Sequence, residues 1–133
     1  MKQLTLTLLA ATLALVASGA QAQAVDGKTL FAKNCAACHQ ATGMGIPGAF
    51  PALKGDAFVA GDPAIVIATV LKGRAGMPAF GASLDDEKLG AILTYVRSAW
   101  GNKAGAVTTA DVANVRKTAS IAPVMHETGT IIH

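Results

Sequence analysis

The sequence predicts an all-α domain, helices joined by loops, and three observations carry that expectation. Apolar residues recur at spacings of three and four, as in helices that bury one face. The periodic segments open on Asp or Ser caps and stop at glycines. The chain between them is rich in Gly and Pro and lacks the alternation of strands.

The elements follow in order along 133 residues, which is one domain's worth. Residues 1–24 carry Lys2, then an uncharged apolar run over 4–16, then Ser18-Gly19-Ala20-Gln21-Ala22-Gln23-Ala24. That order is a secretory signal, with cleavage expected after Ala22 or Ala24. A membrane anchor is the competing reading. The run is short, broken by Thr5, Thr7 and Thr12, and has no charged stop-transfer cluster after it.

Asp26 can cap a first helix through Thr29, Leu30 and Phe31 to the Cys35/His39 region. Residues 40–62 hold Gly43, Gly45, Pro47, Gly48, Pro51, Gly55 and Gly61, and read as an extended loop wrapped around a large ligand. Asp62-Pro63 opens a second helix carrying Ile65, Val66, Ala68, Thr69, Val70 and Leu71, which stops at Gly73. Ser83-Leu84-Asp85-Asp86-Glu87 starts the longest helix, with an acidic first turn and the stripe Leu89, Ile92, Leu93, Val96 and Trp100. It should end at Gly101-Asn102. Thr108 and Asp111 can cap a short helix over 110–117, leaving 118–133 as a flexible tail.

Composition narrows the function. The chain is 52% hydrophobic and 14% charged, and beyond the signal ten Lys and Arg face eight Asp and Glu, a net of +2. No basic run interleaved with aromatics is present, so nucleic-acid binding has no footprint. No second segment approaches membrane-spanning length. A domain this small also needs a staple beyond its core.

The only two cysteines lie in Cys35-Ala36-Ala37-Cys38-His39. A structural disulfide suits an exported protein but would close a tiny loop and stabilise little. A thioredoxin-like redox pair needs a βαβ context, which is missing. A zinc site needs four ligands, and only His126 and His133 remain, far off in a polar tail. Covalent haem attachment uses all three residues at once: two thiols add to the porphyrin vinyl groups, and the adjacent imidazole reaches the iron. One covalently attached haem c is therefore expected, with Cys35 and Cys38 as thioethers and His39 as an axial ligand.

The second axial ligand must come from elsewhere. Met44 is five residues from His39 on the same loop, and Met125, His126 and His133 follow the last strong helix. Met77 sits in Gly73-Arg74-Ala75-Gly76-Met77-Pro78-Ala79-Phe80, where glycines permit close backbone approach and Pro78 stiffens the turn. A Gly/Pro loop between two amphipathic helices is a poor place for a core-filling methionine. Met77 is the expected sixth ligand.

With these motifs in place, residues 25–102 resemble a class I monohaem cytochrome c of the small bacterial type. The resemblance implies the cytochrome c fold, three to five helices around one haem. It implies that the Pro51 carbonyl, in Phe50-Pro51-Ala52-Leu53-Lys54-Gly55, accepts a hydrogen bond from His39 Nδ1 and so sets its tautomer. It also implies that Gly27 and Phe31 pack against Ile92 and Tyr95 where the first and last helices cross. Residues 101–116 look like an extension seen on cytochrome c domains that accompany periplasmic dehydrogenases or terminal oxidases.

The function expected from the site is single-electron transfer, not catalysis. With both axial positions filled by protein, no vacancy is left for substrate, and a Met/His pair raises the potential relative to two histidines. The expected partners are redox proteins, a dehydrogenase, oxidase or reductase, met in the periplasm at an edge near Ala36, Ala37, Met44, Ile46 and Pro47. Lys72 and Arg74 are candidates for orienting them, Arg74 alternatively for pairing with a haem propionate. Two other classes compete: a haem subunit docked on a dehydrogenase, and a peroxidase-like or ligand-sensing protein whose methionine dissociates.

Overall fold

The first helix begins where Asp26 accepts a hydrogen bond from the Lys28 amide and runs Gly27–Asn34 (α1) in the computed structural model, which describes residues 24–126. The expected export signal over 1–23 and the chain end with His133 lie outside the described residues, as do the side chains of Met125 and His126. A single turn, Ala36–His39 (α2), follows at once. Next come Ala57–Ala60 (α3), Pro63–Lys72 (α4), Asp86–Ser98 (α5), a 3-10 turn over Ala99–Gly101, and Thr109–His126 (α6). The described residues form no strand, only two isolated bridges, Ile46 with Phe50 and Arg74 with Met77. None of their helices is long and apolar enough to cross a membrane.

The caps fall where the residues ask for them. Asp62 accepts from Ala64 N ahead of Pro63, and Asp85 accepts from Lys88 N ahead of α5. Thr108 and Asp111 bond each other's amides in a reciprocal cap before α6.

Three expectations need correcting. The segment 40–62 is not loop throughout: Asp56 caps α3 by accepting from Val59 N, and four residues are too few to show a period. The helix expected to stop at Lys117 continues to His126: Thr118-Ala119-Ser120-Ile121-Ala122 carries no Gly or Pro to stop it at Lys117, and it runs on past Pro123. The first part of the expected tail is thus helical, and at 18 residues α6, not the 13-residue α5, is the longest helix. Finally, α5 ends at Ser98, so Trp100 lies beyond it at φ +54°.

The core is the crossing of α1 and α5, covered by α4 and α6. Phe31, Leu89, Ile92, Leu93 and Val96 are buried there, with Ile67 and Leu71 from α4 and Val112 from α6. Gly27 makes the crossing possible, since a Cβ on it would sit 2.1 Å from the Ala91 carbonyl oxygen. Phe31, Tyr95 and Trp100 close the cluster with centroids 5.2–5.6 Å apart. Arg97 is buried and no carboxylate among the described residues pairs with it; its guanidinium donates to the carbonyls of Val59, Gly61 and Gly105. That tie fixes α3 and the chain after α5 to the same helix.

Candidate haem site

The Cys-x-x-Cys-His stretch becomes one tight turn because α1 hands directly into α2. Cys35 N–H still bonds the Phe31 carbonyl, while His39 N–H already bonds the Cys35 carbonyl at 3.0 Å. Gln40, at φ +64°, then ends the helix. Cys35 and Cys38 are half-buried free thiols one turn apart. Burial, with Cys38 close by, pushes the Cys35 thiol up to about 11, so it carries its proton at neutral pH.

His39 is buried, and its Nδ1 lies 3.0 Å from the Pro51 carbonyl. A carbonyl can only accept, so Nδ1 carries a proton, and in the neutral ring Nε2 is then the nitrogen with the lone pair. Nε2 has no hydrogen-bond partner among the described residues. Since no buried side-chain nitrogen there lacks a partner, Nε2 faces accessible space. Both features fit an imidazole that binds iron brought by a porphyrin.

The loop carrying Pro51 is pinned along its length. Leu53 and Lys54 amides both bond the Gly43 carbonyl, Gly45 N–H bonds the His39 carbonyl, and Ile46 and Phe50 bond each other. From outside, Trp100 Nε1 donates to the Ala41 carbonyl, and Asn102 bonds Leu53 O, Val96 O and Gly55 N. Trp100 also lies flat against Gly43, where a Cβ would come within 2.5 Å of the indole.

Met77 stands on a second loop, half-buried, and no hydrogen bond joins it to the His39 side. Arg74 and Met77 exchange backbone bonds at 3.1 and 2.9 Å, and Phe80 and Gly81 amides bond the Val70 and Leu71 carbonyls. Arg74, whose partner the sequence left open, lies over the Phe58 ring at 5.6 Å. Met44 is 55% exposed, beside exposed Ile46 and Phe50 on the Pro51 loop.

Three supporting residues escaped the sequence reading as such. Asn102 read only as a helix end, Arg116 only as part of an extension, and Arg97 not at all. Each makes contacts 30 or more residues away, which no local pattern encodes.

Thiols one turn apart, an adjoining imidazole with its metal-facing nitrogen free, and a helical core define a haem c protein. Residues 22–96 match the family described as cytochrome C oxidase, cbb3-type, subunit III, and the chain belongs to that family. It is 33% identical over 117 residues to the cytochrome c subunit of alcohol dehydrogenase (quinone) from Gluconacetobacter polyoxogenes, covering 78% of this chain and 25% of that protein. It is 40% identical over 90 residues to the cbb3-type cytochrome c oxidase subunit CcoP of Azospirillum brasilense, covering 62% of this chain and 30% of the relative. Cytochrome c-552 of Thermus thermophilus is 37% identical over 93 residues, 58% of this chain and 70% of that protein. The chain spans about a quarter of the length of the first of these relatives. It is a cytochrome c electron-transfer domain, an electron carrier that binds haem c covalently.

Proposed function

We propose that the protein is exported to the periplasm and passes single electrons from a dehydrogenase or respiratory complex to an acceptor such as a terminal oxidase or reductase. In this reading Cys35 and Cys38 form the thioethers, His39 and Met77 are the axial iron ligands, and the Pro51 carbonyl holds the His39 ring. The observation that carries it is the His39 Nδ1 bond to Pro51, which leaves Nε2 free for iron.

Haem supplies the one-electron iron couple, and each protein group adds a defined part. Cys35 and Cys38 would hold the haem as thioethers, an addition of S–H across a double bond that would need no oxidant, and the Cys35 thiol keeps its proton at neutral pH. The Pro51 carbonyl makes His39 a better donor and stops the ring rotating. The Met77 thioether is soft and neutral, so it favours ferrous over ferric iron and raises the potential. The exposed Met44, Ile46 and Phe50 offer a small apolar face for brief encounters with partners.

A second reading, a subunit held permanently on a dehydrogenase, is favoured by relatives named as cytochrome c subunits of alcohol dehydrogenase (quinone) and gluconate 2-dehydrogenase. Native-source fractionation separates the two: a carrier leaves cells with the soluble periplasmic fraction, whereas a subunit co-purifies with its enzyme. The reduced protein should not bind carbon monoxide, and CO binding would sink the carrier role. Cys35→Ala with Cys38→Ala should yield no covalent haem and little helical signal, read by denaturing-gel haem staining and circular dichroism.

A further inference from the structure

Among the described residues, Arg116 reaches from α6 to three separate acceptors around the exit of the Met77 loop. Its Nε donates to the Asp86 carboxylate at 2.7 Å, Nη1 to the Gly81 carbonyl, and Nη2 to the Leu84 carbonyl at 2.9 Å. Gly81 is thereby held from both sides, its amide on the Leu71 carbonyl of α4 and its carbonyl on Arg116. Space around it is short as well, a Cβ there meeting the Leu71 carbonyl oxygen at 2.9 Å. Arg116 and Asp86 side chains are 31% and 29% exposed, so the ion pair is partly shielded from water.

The Met77 loop has few other restraints. Arg74 and Met77 bond each other, which shapes the turn, and the Arg74 guanidinium rests over the Phe58 ring of α3 at 5.6 Å. Ala75, at φ +50°, and Gly76 are exposed at the tip. Besides that ring contact the loop is attached to the body of the domain at its base, through Phe80 and Gly81 on the end of α4 and through Arg116. Arg116 brings the only charge-assisted hydrogen bonds among these attachments, which are roughly twice as strong as neutral ones. It also links the loop exit to the first turn of α5, through Asp86.

We propose that Arg116 is a positioning residue for the iron's sixth ligand: by gripping Gly81, Leu84 and Asp86 together it fixes the exit of the Met77 loop, so α6 governs how readily the thioether leaves the iron. This rests on Met77 as that ligand. A positioning role differs from a plain tie between helices in what it controls. A helix tie affects global stability, whereas this clamp sets the local equilibrium between bound and released methionine. Removing it makes an exogenous ligand compete better for iron even where the fold survives.

The experiment is an imidazole titration of the ferric holo-protein, following the weak long-wavelength sulfur-to-iron band and, in parallel, the circular dichroism and denaturant midpoint. Arg116→Gln should lose the band at about tenfold lower imidazole than wild type. Arg116→Lys, which keeps the charge but not the fork, should fall between them. Asp86→Asn, which leaves the guanidinium in place, should shift the half-point the same way by a few-fold. Thr94→Val removes the bonds of Thr94 to Val107 and loosens α6 without touching Gly81; its half-point should stay at the wild-type value. An unchanged half-point in Arg116→Gln, or an equal fall in Thr94→Val, overturns the clamp while leaving the ligand assignment standing. If Met77→Ala keeps the band, the ligand assignment itself fails, and the clamp with it.

Discussion

The two loops that flank the site are built on different plans. The proximal loop, residues 40–55, is tied to itself by the Leu53 and Lys54 amides on the Gly43 carbonyl and by the Ile46–Phe50 bonds, to His39 through Gly45 and Pro51, and to the chain just after α5 through Trp100 and Asn102. The Met77 loop, residues 73–80, is tied at its base, and its tip is exposed. Under the proposed ligand assignment, one loop would hold its ligand by many short-range restraints, the other by a hinge-like stem. The difference teaches where exchange can occur: an iron held between them should release the methionine long before the histidine.

The largest expected effect tests that asymmetry at the ligand. Met77→Ala should lower the midpoint potential on the order of 0.1 V, a fraction of the roughly 0.8 V that axial ligands span. It should also let the reduced protein bind carbon monoxide. Met44→Ala, on the exposed proximal surface, should change neither. Redox titration and a CO difference spectrum check both. A Met44→Ala effect equal to that of Met77→Ala would reverse the assignment of the loops.

Next in size is a pair of glycine replacements. Gly43, at φ +69° and against the Trp100 ring, has no room for a methyl group. Gly43→Ala should cost on the order of 3 kcal/mol, through left-handed backbone strain and overpacking together. Gly76 has open space around its Cβ position and no positive φ, so Gly76→Ala should stay within about 0.5 kcal/mol. Denaturant unfolding compares the two. Equal losses would show that the Met77 loop is as constrained as its partner.

Asn102→Ala sharpens the proximal side by removing three hydrogen bonds to Leu53, Val96 and Gly55. A loss of about 2 kcal/mol is expected, because half-buried carbonyls lose their donor. The smallest effect is acidic. Asp26, Asp85 and Asp111 are held below the usual carboxylate range, chiefly by hydrogen bonds from Thr29, Lys88 and Thr108 respectively. A carboxyl depressed on folding contributes stability above its unfolded pKa and loses it as pH falls through the folded value. Thermal midpoints should therefore drop slightly below about pH 4, and Asp111→Asn should flatten that drop.

By itself the sequence determined α1, α4, α5 and the start of α6, their caps and the chemical identity of the site. Those features are local: Asp62-Pro63, the Thr108 and Asp111 pair, the spacing of Leu89, Ile92, Leu93 and Val96, and the contiguous Cys35-Ala36-Ala37-Cys38-His39 each act within a turn or two of chain. The Gly27 crossing with α5 was legible only through a family resemblance, since nothing near Gly27 names Ala91 as its neighbour. Tertiary structure alone decided the rest. That Trp100 leaves its helix to lie against Gly43, that Arg97 buries its charge among three carbonyls, and that Arg116 reaches Gly81 depend on which surfaces meet. Such contacts follow from packing distant segments around one core, and a buried polar group takes whatever partner that packing brings within reach.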